Sequence, residues 1–379
     1  MRHVVVAGGS IAAATAVSTL RARGWDGKIT LVTDEDTPPY SRVPLSKGVL
    51  SGALDRAAVT LPALPGDVDV RLRSRAAALD VRTRTVTLAD GTELRYDGLV
   101  VATGSRPRRL AADGRRGELV LRTLADAAAI NARLRTARSA IVVGAGFLGM
   151  EVGSTLRAHG LAVTIIDRDP PLRRLIGPWL ADIVTAAAAE AGVGFVLAPH
   201  GVTLTGDPVG GVTTPDGRTL TADLVVSAVG DLPNTEWLRT SDLTLAEGVV
   251  VDEWCQAAPG VVAAGDVTSR QVAPGVHRRT PHWSNAVQQG RVAALTLLGI
   301  REPYAPDHYF WTEQFGLDVK IAGELPLDGA PVLLEGDPSA RSLLTQWHRA
   351  GTPVAAATIN RKLPIVRLKR LATVAVERS

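Results

Sequence analysis

Ala140-Ile141-Val142-Val143-Gly144-Ala145-Gly146-Phe147-Leu148-Gly149 is a β-branched strand that runs into three glycines spaced GxGxxG and then into a helix. The context gives the spacing its meaning. The first glycine permits a tight turn and the second lets backbone approach a pyrophosphate. The third lets the helix pack closely on the strand, with the helix N-terminus facing the anion. The next apolar run ends at Asp167, where a carboxylate is placed to accept a hydrogen bond from a ribose 2′-OH. Gly144, Gly146, Gly149 and Asp167 are therefore candidate dinucleotide ligands. The acid favours NAD over NADP because it repels a 2′-phosphate, and Arg168 beside it pulls the other way.

Working outward, the same order of strand, small-residue turn, Ala-rich helix and acid-ended strand occurs from Val4 to Glu35. This first copy is degenerate: in Gly8-Gly9-Ser10-Ile11-Ala12-Ala13, Ser10 and Ala13 stand where the second and third glycines belong. Both are small, and a hydroxyl can donate to phosphate. Asp34 and Glu35 close the following strand, and either fits a ribose-binding acid; the run Asp34-Glu35-Asp36 also reads as a solvated turn. Between the copies, Thr85–Leu88, Asp90-Gly91-Thr92 and Glu93–Tyr96 predict a hairpin, followed by a buried strand from Gly98 to Ala102. The second half repeats this with Val212–Thr214, the turn Pro215-Asp216-Gly217, and Leu224 to Ala228 ending at Gly230. Gly260 to Asp266 predicts another short buried strand with an acid at its exit. A helix is expected from Trp283 to Leu298, stopped by Gly299, and strand-like alternation from Tyr304 onward predicts a further α+β domain.

The fold class is α/β: two Rossmann-like dinucleotide-binding domains, the second inserted in the first, plus a C-terminal α+β domain. The expected limits are 1–107 and 237–303 for the first, 108–236 for the second and 304–379 for the last. A chain of 379 residues suits several cores. No apolar run is long enough to span a bilayer. The N-terminus enters its first strand at once, with no signal-peptide pattern, so a cytoplasmic location is expected. One cysteine, Cys255, allows no internal disulfide or CxxC pair. Net charge is +4, but arginines cluster at 71/73/75, 106/108/109, 115/116, 278/279 and from 361 to 370. They read equally as a surface that steers an acidic partner and as solvated side chains. Nucleic acid is disfavoured, since no aromatic-interleaved basic stripe or known DNA-binding spacing occurs.

Together these blocks carry a likeness. Pro39-Tyr40-Ser41-Arg42-Val43-Pro44-Leu45-Ser46-Lys47, Ala102-Thr103-Gly104, Leu121-Arg122-Thr123 with Asp126-Ala127, Gly149-Met150-Glu151-Val152, Pro233-Asn234-Thr235-Glu236-Trp237, Gly265-Asp266-Val267, Trp283-Ser284-Asn285-Ala286 and Phe310-Trp311-Thr312-Glu313-Gln314 follow in order along nearly the whole chain. The chain resembles the NADH-dependent ferredoxin and rubredoxin reductases that serve oxygenases and cytochromes P450, within the flavoprotein superfamily that binds two dinucleotides. The resemblance implies FAD and NADH as cofactors and an acidic [2Fe-2S] or similar ferredoxin as partner. It implies Lys47 and Glu151 as catalytic residues: an ammonium near flavin N5 and O4, and a carboxylate that pairs with it and orients the nicotinamide. It implies cofactor contacts at Gly8, Ser10, Ala12, Ala13, Asp34 or Glu35, Arg42, Ala102, Thr103, Gly104, Arg122, Gly265, Asp266, Trp283 and Gly230. Trp311 reads equally as a ring stacked near the isoalloxazine and as core. Val43 departs from the family's proline, and the C-terminal domain is somewhat short.

The single cysteine opposes a flavin disulfide reductase. A flavin NADH oxidase or peroxidase requires a redox role for Cys255, whereas family peroxidases carry their cysteine where this chain has Arg42 to Lys47. A binding flavoprotein like apoptosis-inducing factor predicts targeting or basic extensions, which the sequence lacks.

Overall fold

The computed structural model describes residues 1–373, so residues 374–379 of the expected C-terminal domain lie outside the described residues. The chain divides into two compact units. The first comprises Met1–Arg42, Arg56–Arg106 and Asp231–Asp307; the second comprises Val43–Asp55, Pro107–Gly230 and His308–Ser379.

In the first unit a six-stranded sheet runs in the order Gln256–Ala258, Val261–Ala263, Gly98–Val101, His3–Ala7, Lys28–Val32, Asp69–Arg71. All neighbours are parallel except the first pair. Val4, Val5 and Val6 are fully buried, as a central parallel strand covered on both faces requires. The helix Ile11–Ala22 packs against Trp283–Leu297, whose bounds match the expected helix within one residue. Their approach depends on Gly290, where an added Cβ would lie 2.5 Å from the Ala12 carbonyl oxygen. The hairpin expected around Asp90-Gly91 forms the pair Thr85–Leu88 and Glu93–Arg95.

The second unit repeats this plan. Its parallel sheet runs Gly194–Leu197, Ala162–Asp167, Ser139–Val143, Leu224–Ser227, Glu118–Leu119. The helix Phe147–Ala158 joins the two central strands of the βαβ unit. The expected turn at Pro215-Asp216-Gly217 connects Gly211–Thr213 to Thr219–Thr221. The α+β region predicted from Tyr304 is a five-stranded antiparallel sheet, Tyr309–Gln314, Leu317–Gly323, Thr352–Ile359, Ser342–Arg349, Val332–Asp337, against which the helix Ile365–Leu371 packs. The segment carrying Lys47 belongs to this unit: the Thr155 hydroxyl donates to the Ser46 carbonyl at 2.8 Å and Asn131 Nδ2 to that of Val49 at 3.2 Å.

The duplication reaches a detail that sequence patterning did not reveal. In each unit the acid just before the strand that flanks the βαβ unit clamps the start of the first strand. Asp97 Oδ2 accepts from the N–H groups of Arg2 and His3 at 2.6 and 3.0 Å. Asp223 Oδ2 accepts from the N–H groups of Arg138 and Ser139 at 2.9 and 3.0 Å. These donors hold both carboxyls below the usual carboxylate range. A depressed folded pKa contributes stability that is complete above the unfolded value, near ~3.9, and is lost as pH falls through the folded one. The double variant Asp97→Asn/Asp223→Asn should therefore melt below the wild type at neutral pH, with a gap that narrows under about pH 4. A gap of constant size across that range would count against the clamps.

Candidate functional site

In the first unit the turns after three neighbouring parallel strands meet at one end of the sheet: Gly8–Ser10, Ala102–Gly104 and Ala264–Asp266 follow His3–Ala7, Gly98–Val101 and Val261–Ala263. That end, where the chain leaves the central strand in opposite directions, is where open α/β sheets bind ligands. Gly8 has φ +131°, and a Cβ there would lie 2.0 Å from the Ala102 carbonyl oxygen, so only glycine fits. Ser10 is the N-cap of Ile11–Ala22 and spends no side-chain hydrogen bond on the helix. The hydroxyl and the helix N-terminus thus suit a phosphate. Ala13 is fully buried, and Ala12 lines the approach to Gly265 with its Cβ 3.1 Å from that glycine's added Cβ. The small residues at 10 and 13 are compatible with the turn.

Of the two candidate acids, Asp34 is exposed, whereas Glu35 is half-buried and built in. It accepts from the Tyr40 hydroxyl at 2.5 Å and from Arg42, whose guanidinium also lies 5.1 Å over the Tyr40 ring. Burial alone would lower the pKa of Arg42; the adjoining Tyr40 and Glu35, with Asp266, raise it instead. Thr103 and Asn234 exchange two bonds of 2.9 Å, from the Thr103 hydroxyl to the Asn234 carbonyl and from Asn234 Nδ2 to the Thr103 carbonyl. Gly104 accepts from the Asn234 N–H at 2.9 Å. Gln289 Oε1 accepts from the Gly265 N–H at 2.8 Å and from Thr268, which fixes the loop that carries Asp266. Arg279 supports the same loop, donating to the Asp266 carbonyl while paired with Asp231 at 2.5 Å. Gln289 was not singled out from sequence, and Arg279 appeared there only as one of a surface cluster with Arg278. Trp283 opens its helix, 40% exposed, behind the N-cap residue His282, whose side chain makes no capping hydrogen bond.

In the second unit Gly144 reproduces Gly8: φ is +108°, and a Cβ would lie 2.3 Å from the Ala228 carbonyl oxygen. A Cβ on Gly149 would lie 1.9 Å from the Gly144 oxygen, while on Gly146 the nearest atom is 3.5 Å away. The first and third glycines are thus required by packing and the second leaves room for a ligand. Asp167 accepts from the Ala145 N–H at 2.5 Å and the Arg168 N–H at 2.6 Å, so it braces the glycine turn from inside. A pocket of about 220 Å³ beside it is lined by Ala145, Asp167, Asp169, Pro170, Phe195 and Leu197 among others, a largely apolar surface with an acid at its rim. These groups fit a dinucleotide's adenosine half. Gly230, with φ +97° and no atom near its missing Cβ, is exposed at the exit of Leu224–Ser227.

The same unit brings Lys47 and Glu151 together. Glu151 lies on the helix Phe147–Ala158, and its side chain is 8% exposed. Oε2 accepts from Lys47 Nζ at 2.8 Å and from the Ser46 hydroxyl at 2.5 Å; Oε1 accepts from the Thr312 hydroxyl at 2.6 Å. Arg122 precedes a capping box in which Thr123 and Asp126 bond reciprocally at the start of Leu124–Leu134, and its N–H donates to Asp126 at 3.0 Å. Trp311 stacks on Tyr309, centroids 5.7 Å apart and planes 24° from parallel.

Many clustered arginines have acids of their own: Arg71–Asp69, Arg73–Asp36, Arg106–Glu236, Arg109–Glu118, Arg116–Asp207 and Arg361–Glu335. Such pairs cancel much of the field that the clusters promise. Among the described residues no acid, His or Cys group is arranged to hold a metal ion, and no helix is long and apolar enough to cross a membrane.

Residues 2–290 match the model of the pyridine nucleotide-disulphide oxidoreductase family, and residues 309–378 match the reductase C-terminal model. The anthranilate 1,2-dioxygenase system ferredoxin–NAD(+) reductase component of Burkholderia cepacia is 35% identical over 382 residues, covering 97% of this chain and 93% of that protein. Among solved structures, the ferredoxin reductase for the CYP199A2 system from Rhodopseudomonas palustris aligns with a TM-score of 0.87 at 31% identity, over 95% of this chain and 92% of that one. The reductase in the covalent putidaredoxin reductase–putidaredoxin complex aligns with a TM-score of 0.87 at 28% identity, over 98% and 92%.

Cys255 is fully buried, and that burial pushes its thiol up to about 12. A thiol so placed is a poor nucleophile, which weighs against a peroxidase role. Native protein at pH 8 should resist a thiol-labelling reagent and react once unfolded. Rapid stoichiometric labelling of the native state would reopen that role.

Proposed function

The chain belongs to the pyridine nucleotide-disulphide oxidoreductase family, and we propose that within it this protein is an NADH-dependent ferredoxin reductase that serves an oxygenase or a cytochrome P450. The observation that carries the proposal is the doubled glycine turn, Gly8 under Ala102 and Gly144 under Ala228, which suits two dinucleotide sites on one chain. FAD, when bound, would supply hydride acceptance from NADH and one-electron release, as an iron-sulfur acceptor needs. A single buried cysteine agrees with a carrier that works without thiols.

In this reading residues 1–107 and 237–303 serve FAD, 108–236 serve NADH and 304–379 form the C-terminal domain. Gly8, Ser10, Ala12 and Ala13 hold the FAD pyrophosphate at the start of the first helix, and Glu35, steadied by Arg42, takes the ribose. Asp266 would accept from hydroxyls of the ribityl chain, and Ala102, Thr103, Gly104, Arg122, Gly265, Trp283 and Trp311 would complete the contacts. Gly144, Gly146, Gly149, Asp167 and Gly230 take NADH. Lys47 supplies positive charge where the reduced cofactor gains negative charge, and Glu151 holds that ammonium in place and orients the nicotinamide. Relatives with ferredoxin or putidaredoxin in their names support a ferredoxin partner. An acidic partner suits those arginines that remain exposed. A cytoplasmic location completes the proposal, since the reaction draws on NADH.

Anaerobic titration of the yellow protein should bleach the flavin at one equivalent of NADH and far less readily with NADPH, and an added oxidised [2Fe-2S] ferredoxin should restore the colour. A flavin that NADH leaves unbleached would sink the proposal. Asp167→Asn should raise KM for NADH roughly tenfold or more through the loss of a charged acceptor, with kcat little changed. The KM for ferredoxin should rise with ionic strength as screening weakens exposed charge attraction; a flat response would make the arginines surface only.

A further inference from the structure

The strand Tyr309–Gln314 alternates, so Phe310, Thr312 and Gln314 share one face. That face meets the helix Phe147–Ala158. Phe310 packs on Phe147 with ring centroids 4.0 Å apart, Thr312 donates to Glu151, and the Phe315 N–H donates to Ser154 Oγ at 2.7 Å. On the helix, Phe147, Glu151 and Ser154 are spaced by four and three residues and line one side.

Thr312 is fully buried, and its hydroxyl has a single proton to give. Gln314 Nε2 donates to the Thr312 oxygen at 3.0 Å. With a donor on that side, the Thr312 proton is directed to Glu151 Oε1. The other carboxylate oxygen is taken by Lys47 and Ser46. A carboxylate free to rotate would change which oxygen faces Lys47; one bonded at both oxygens cannot do so without breaking a bond to a charged group.

We propose that Thr312, directed by Gln314, is a positioning residue for NADH oxidation: its hydroxyl locks the Glu151 carboxylate in the orientation that holds Lys47. The C-terminal region thereby takes part in the hydride-transfer step. This rests on the NADH-dependent function proposed above.

The test uses flavin-loaded protein with Thr312→Val, which keeps the shape and removes the hydroxyl, and Thr312→Ser, which restores it. Each is made with Glu151 present and in Glu151→Gln. The infrared carboxylate stretch of Glu151, isolated as the difference against Glu151→Gln and recorded without NADH, should shift in Thr312→Val and return in Thr312→Ser. In anaerobic stopped flow the limiting rate of bleaching by NADH should fall roughly 10- to 100-fold in Thr312→Val and recover in Thr312→Ser, with little change in NADH affinity. In the Glu151→Gln background Thr312→Val should cost little more, because the residue acts through Glu151. Should Thr312→Val lose its flavin or its fold, Gln314→Leu leaves the hydroxyl in place but undirected, and a smaller shift in the same sense is expected. An unshifted band, or a rate loss that adds in full to that of Glu151→Gln, would overturn the proposal. A wild-type flavin that NADH does not bleach refutes the reductase function itself and with it any role in hydride transfer, while the infrared band still reports whether the carboxylate is locked.

Discussion

The structure depends on a backbone-to-backbone approach made twice. The residue that ends the first strand of each βαβ unit must turn at once under the carbonyl of a neighbouring strand's end, and there is no room there for a Cβ. Gly8 meets Ala102 and Gly144 meets Ala228. Around each turn the hydrogen bonds coincide as well: the Gly8 N–H donates to Val32 and the Gly144 N–H to Ile166, at 2.8 and 2.7 Å. Once the turn is set, the helix start, the end of the neighbouring strand and the acid after the next strand are brought to one end of the sheet. The binding end of each unit is a consequence of that one steric requirement.

The two copies solve helix packing differently. In the second, Gly149 has no side chain because the Gly144 carbonyl fills the space. In the first, Ala13 keeps its methyl inside the core and the close approach has moved to Gly290, on another helix, against Ala12. By its glycine spacing the first turn is degraded, yet a glycine still stands at a close helix approach, at Gly290. The degeneracy therefore says little about whether the turn can hold a phosphate. The features that matter there are the open N-terminus and the unspent Ser10 hydroxyl.

Much of this was legible in the sequence because it rests on local rules. Periodicity gave the strands and the long helix from Trp283, the Asp-Gly pairs gave the hairpin turns, and the repeat of strand, turn and helix gave the duplicated plan. What escaped were contacts made over long separations. Asp97 and Asp223 look like turn residues, and nothing nearby says that each clamps a strand about 90 residues before it. That Glu35 and not Asp34 is held in place depends on where Tyr40 and Arg42 return. Arginine clusters read as a field become, in part, a set of ion pairs once acids from distant segments are counted.

The same distinction separates binding from chemistry in this chain. A dinucleotide turn can be encoded in about thirty residues because a strand, a helix and an acid suffice. A buried carboxylate cannot, since taking an ionised group out of water costs several kcal/mol unless its oxygens are satisfied. Lys47 alone leaves Glu151 Oε1 without a donor, and neither the glycine motif nor the neighbouring helix supplies one. The missing donor comes from Thr312, in a strand 161 positions later, and it is oriented by Gln314 two residues further on. Neither the face that Phe310, Thr312 and Gln314 share nor the burial of Glu151 on its helix was read from the sequence. Considered together they state a physical demand: an acid inside a core needs a hydroxyl on the strand that covers it.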